Sequence, residues 1–122
     1  MKKASFCIYH NPRCSKSRQT LELLKSKTNN YTIIEYLKIK INKESLKESL
    51  KYLDVPIHNI IRDNEMTYKK MNINKIKISV DEILELIIQS PILLQRPLVT
   101  KYINSKAVMS IISRPPEKID FL

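Results

Sequence analysis

The sequence predicts an α/β fold, a mixed four-stranded sheet with a helical insertion between its two halves. Three observations carry that prediction. Two short runs rich in strand formers, Ser5–Tyr9 and Tyr31–Tyr36, flank a stretch of helical periodicity, and strand–helix–strand implies a right-handed parallel crossover. Two further β-prone runs, Pro97–Tyr102 and Ala107–Ile112, lie close together near the C-terminus. Between these halves the chain is polar and helical. The 122 residues suit one domain, 1–122, with the insert at about 42–95.

The first strand ends at His10-Asn11-Pro12, because Pro12 offers no ladder donor and biases Asn11 away from helical angles. From Ser15 to Lys27 the pattern is helical, with Leu21, Leu24 and the Lys25 methylenes three and four apart. Asn42 or Lys43 opens a second helix running to about Leu53 through Leu46 and Leu50. Pro56 starts a segment carrying Ile57, Ile60 and Ile61, and a short piece follows around Tyr68 and Met71. Ser79 with Glu82 three residues on reads as a capping box for a helix carrying Ile83, Leu84, Ile87 and Ile88, which stops before Pro91. Asn104-Ser105-Lys106 is the turn of a C-terminal hairpin, although the favoured Asn-Gly pair is missing. Pro115-Pro116 opens a last short helix. The order βαβ, helical insert, ββα is thioredoxin-like, with an insertion between its halves.

Composition excludes several classes. No apolar run approaches the roughly 18 residues of a membrane span, and the N-terminus meets charge too early for a signal peptide. Two cysteines make no disulfide framework, so a reducing cytosol is the expected setting. Glycine is absent, so left-handed turns fall to Asn, Ser, Asp or Lys. The net charge of +10 comes mostly from 17 dispersed lysines and reads as codon drift rather than a nucleic-acid surface. The five arginines, Arg13, Arg18, Arg62, Arg96 and Arg114, stand out against that drift.

The chemistry-bearing segment is His10-Asn11-Pro12-Arg13-Cys14-Ser15-Lys16-Ser17-Arg18. Cys14 falls where the first strand feeds the first helix. Free N–H groups and the positive end of the helix dipole favour a thiolate there and can also hold an anion. Arg13, Lys16 and Arg18 add positive potential, with His10 close in sequence. Cys7 sits inside an apolar strand and reads as a small buried hydrophobe. The loop is Cys-x-x-Ser, without a local resolving thiol, so redox work at Cys14 needs an external one. The Cys-x5-Arg loop of cysteine phosphatases is absent, since Thr20 holds the arginine's place.

The stretch Ile8 to Arg18, followed by Thr20-Leu21 and Leu23-Leu24, resembles the active-site segment of the glutaredoxin/glutathione-coupled arsenate reductase family. Ile61-Arg62 before Tyr68-Lys69, the run Gln89 to Val99, and Arg114-Pro115-Pro116-Glu117 resemble that family's later blocks, in order. The loop Arg13 to Lys16 is similar to the family's shorter branch. The resemblance implies a thioredoxin-like fold with a cis-proline at Pro97. It implies Cys14 as nucleophile toward arsenate, His10 tuning the thiolate, and Arg62, Arg96 and Arg114 clamping the oxyanion. Arg114 is expected to be the weakest of the three, because the hairpin before it is longer than the family's and lacks glycine.

The implied reaction uses glutathione as co-substrate and glutaredoxin as partner, with no metal or resident cofactor, no nucleic acid and no membrane, and a monomer is expected. Two other functions compete. One is a glutathione-dependent thiol reductase with another substrate. The other is a thioredoxin-fold transcription regulator, a class that typically shows a Cys-x-x-Cys switch, absent here.

Overall fold

The computed structural model describes residues 3–122. Strand β1 (Ala4–Tyr9) leads through the Cys14 loop into α1 (Ser15–Lys27) and then β2 (Tyr31–Ile34). The insert holds α2 (Lys43–Lys51), a 3-10 turn (Ile57–Ile60), α3 (Met66–Met71), α4 (Val80–Gln89) and a second 3-10 turn (Pro91–Leu93). Strands β3 (Leu98–Ile103) and β4 (Lys106–Ile112) follow, and a 3-10 turn (Pro116–Phe121) closes the chain. The strand order is β2-β1-β3-β4, with β1 and β2 parallel and the other neighbours antiparallel. This is the mixed four-stranded α/β architecture that the pattern predicts. Among the described residues, no helix is long and apolar enough to cross a membrane.

Local chemistry accounts for the element ends. The Asn42 side chain accepts from the Ser45 N–H and starts α2. Ser79 and Glu82 form the expected reciprocal capping box at α4. With no glycine available, Asn104 and Ser105 both take positive φ, 51° and 67°, which matches the twist of the β3–β4 ladder. Strand β2 stops at Ile34, earlier than the apolar run implied. Glu35 opens a turn closed by the Lys38 N–H, and Tyr36 swings into the core. The Pro56 segment is a 3-10 turn and not a full helix.

The sheet is covered on both faces. Period-two alternation sends Cys7 and Tyr9 to the side packed by α2 and α4, and Ile8 to the side packed by α1 and the last 3-10 turn. Three ties then hold the middle of the insert against its own last segment, the one that enters β3. Ile61 bridges Leu94, the Arg62 N–H donates to the Leu93 carbonyl at 2.8 Å, and the Gln95 N–H donates to the Ile60 carbonyl at 2.7 Å. They bring Arg62 beside the segment entering β3. The Arg96–Pro97 peptide is cis, as the resemblance implied, and so is Arg114–Pro115.

Candidate active site

Cys14 is the N-cap residue of α1, with extended backbone angles and partial exposure. The loop before it is held from within. The Asn11 side chain accepts from the Arg13 N–H at 3.0 Å, the Cys14 N–H donates to the Asn11 carbonyl at 3.0 Å, and Arg18 Nη1 donates to the Pro12 carbonyl at 2.9 Å. The first turn of α1 carries no acidic residue. Basic residues at a helix start oppose the dipole and cost stability. That local conflict suits a site that attracts anions.

Partial burial alone would raise the Cys14 thiol. The N–H of Ser17, the Arg96 and Arg114 guanidiniums and the N–H of Lys16 overcome it and bring the pKa down to about 7. Arg114 Nη1 lies 3.6 Å from Cys14 Sγ. Cys7 is the opposite case, because burial pushes its thiol up to about 11. It faces the side of the sheet away from α1, so it is not placed to serve Cys14 as a resolving thiol. Iodoacetamide should therefore alkylate native Cys14 with a rate that rises through an inflection near pH 7, while Cys7 reacts only on unfolding. A Cys14 inflection at the free-thiol value of about 8.5 or higher contradicts the activated thiolate.

His10 does not touch the sulfur. Its Nδ1 meets Ser17 Oγ at 2.6 Å in a buried contact, and the same hydroxyl accepts from the Asn11 N–H at 3.0 Å. Burial lowers the His10 pKa, against a pull from Glu35 and with help from Lys25 and Arg18, so the ring is neutral near pH 7. Any influence on Cys14 runs through Ser17, whose backbone N–H serves the thiolate. Ser17 was visible in the sequence only as the residue replacing a second thiol. Its helical position three beyond Cys14 was the usable signal.

The arginines fall in a different order from the one expected. Arg114, ranked weakest on hairpin length, is against the sulfur and also donates to the Arg96 carbonyl at 3.0 Å. The reason is register. Leu98 pairs with Ile112 at the hairpin base, so Arg96 and Arg114 stand opposite each other, and added length extends the far end at Asn104-Ser105. Ser113 strengthens the base, since its N–H donates to the Pro97 carbonyl at 2.9 Å and its own carbonyl accepts from Thr20 of α1 at 3.3 Å. The Arg96 guanidinium also favours the thiolate, and its buried Nε has no hydrogen-bond partner. Arg62 is further back. Its Nε is paired with Glu65 at 3.1 Å and its Nη1 with Gln95 Oε1 at 3.0 Å.

Glu65 and Gln95 carry no motif that points to this holding role. Tyr36 likewise shows in the sequence only as the end of a strand-forming run. It is fully buried with an unpartnered hydroxyl, and burial pushes its phenol up to about 12 although Arg96 and Arg62 pull the other way. The arrangement thus offers a thiolate, the Arg114 guanidinium against it, the Arg96 guanidinium favouring its charge and a third held by a glutamine. Such a set can bind a small oxyanion and stabilise charge as it develops. Among the described residues, no three His, Cys, Asp or Glu side chains gather as a metal site requires.

A family model described as the ArsC family matches residues 9–120. The arsenate reductase of Haemophilus influenzae is 34% identical over 116 residues, covering 94% of this chain and 96% of that protein. The uncharacterized protein YfgD of Escherichia coli is 36% identical over 113 residues, covering 92% of this chain and 91% of its own. Among solved structures, the arsenate reductase from Vibrio cholerae matches with a TM-score of 0.82 at 32% identity, covering 97% of this chain and 98% of that one.

Proposed function

This chain belongs to the ArsC family, and on that footing we propose that it is an oxidoreductase reducing arsenate to arsenite, with Cys14 as nucleophile. The observation that carries the reading is the Cys14 thiolate at a helix start with Arg114 3.6 Å from its sulfur. Arsenate binds between Cys14 and the guanidiniums of Arg96 and Arg114. The thiolate attacks arsenic, an S–As bond forms, and an arsenate oxygen leaves as hydroxide or water. The pentavalent arsenic is still oxidised at that point. Glutathione then attacks the Cys14 sulfur, so an S–S bond forms, the S–As bond breaks, and its electron pair reduces arsenic to As(III). Glutaredoxin resolves the mixed disulfide.

An external thiol is supported by what the chain itself can supply. Its other cysteine, Cys7, is buried with a pKa raised to about 11 and faces the other side of the sheet. Glutathione is a co-substrate in this scheme, no resident cofactor or metal takes part, and the setting is a reducing cytosol. His10 orients Ser17 and through it the thiolate. Arg62, reached through Gln95, reinforces the positive field.

A thiolate near pH 7 also suits disulfide exchange, so a glutathione-dependent thiol reductase with another substrate is the second reading. The deciding assay is arsenite release from arsenate, with electrons from glutathione plus glutaredoxin or from a thioredoxin system. Release with the former supports the whole scheme. Release only with thioredoxin overturns the donor, and none with either overturns the substrate.

A further inference from the structure

The recesses near the active-site loop differ in how their charges are used. One of about 340 Å³ lies on the side of His10 and Arg13, but its opposite charges, Glu35 and Lys38, already pair at 3.3 Å. Another, of about 240 Å³, is lined by Asp54, Asn59, Gln95, Arg114 and Lys118. Asp54 and Lys118 face this recess, yet neither takes part in an ion pair among the described residues. Arg114 joins the recess to the reaction centre, because the side chain that lines it ends 3.6 Å from Cys14 Sγ. The recess is smaller than the roughly 300–1,000 Å³ of pockets that enclose a whole ligand, so it suits one end of a ligand.

We propose that this recess holds the amino-acid head group of a γ-glutamyl thiol, with Lys118 receiving its carboxylate and Asp54 its ammonium. An amino-acid head carries those two opposite charges together, and the recess presents their complements, unpaired, one arginine side chain away from the sulfur. Anchoring the far end of the thiol turns its attack on Cys14 into a positioned step. Asn59 and Gln95 add hydrogen-bonding groups for the adjoining amide. The assignment rests on the reading that Cys14 works with glutathione as its external thiol, and it adds where the far end of that thiol is held.

The test needs no arsenate. Native protein is mixed with oxidised glutathione or with bis(2-hydroxyethyl) disulfide, which has no amino-acid end. In both reactions the Cys14 thiolate attacks one sulfur, a new S–S bond forms to Cys14, the reagent's S–S bond breaks, and the other half leaves as a thiolate. Lys118→Ala and Asp54→Asn should each slow the glutathione reaction about fivefold, the scale of one exposed charge contact, and leave the hydroxyethyl reaction within about twofold. Rates unchanged with both reagents, or slowed equally with both, overturn the site. Selectivity in a wild type that makes no arsenite keeps this site and removes arsenate reduction. Arsenite formation at one efficiency with every small thiol, unaltered in both variants, keeps the reduction and removes this site.

Discussion

Cys14→Ser is expected to lower arsenate turnover by about 10⁴-fold or more, the scale of losing a nucleophile whose partners act only through it. The serine hydroxyl fits the N-cap position and keeps α1, so the loss isolates the chemistry from the fold. An alcohol does not ionise near neutrality, and it forms no S–S bond to release arsenic as As(III). Cys7→Ala should retain turnover within about threefold, since that thiol is held protonated in the core, at a cost to stability typical of removing a small buried group. Residual arsenite formation by Cys14→Ser above that of the assay blank, with glutathione and glutaredoxin present, contradicts the assignment.

Removing a guanidinium at the sulfur is the next largest effect. Arg114→Ala and Arg96→Ala should each cost turnover about 10²–10³-fold, or about 2.7–4 kcal/mol, as does the loss of a donor aimed at developing charge. Both should also shift the Cys14 alkylation inflection upward, because each guanidinium favours the thiolate. Arg96→Lys should fall between wild type and Arg96→Ala, since the charge survives and the planar fork does not. Arg62→Ala should cost less turnover and leave the inflection near pH 7, because that guanidinium is engaged with Glu65 and Gln95 and is absent from the contacts that stabilise the thiolate. Turnover and inflection unchanged in all three alanine variants remove the shared anion site. The remaining basic loop would then fit a thiol reductase.

Much of this molecule is legible in its sequence because the relevant forces are short-range. Strand β1, helix α1 and the place of Cys14 at the junction follow from residue types within one or two turns of each other. The same holds for the capping box of Ser79 and Glu82, and for the use of Asn104 and Ser105 where glycine is missing. The seat of the thiolate is a local property too, since the N–H groups of Lys16 and Ser17 belong to its own helix start.

Which arginine serves that thiolate was not local. Counting residues in the hairpin ranked Arg114 last, but antiparallel register aligns a hairpin at its base whatever the length of its tip, and a contact across 100 residues results. Likewise Arg62 is in the expected block, and only packing decides that its guanidinium pairs with Gln95 and Glu65. Sequence by itself determined the fold, the place of Cys14 at the junction of the first strand and helix, and the basic character of its loop. The tertiary structure alone decided the order of the arginines, the buried contact of His10 with Ser17 and the placement of Cys7 across the sheet from α1. Those depend on strand pairing and close packing between distant segments, whereas propensity, capping and the helix dipole act within a few residues of their source.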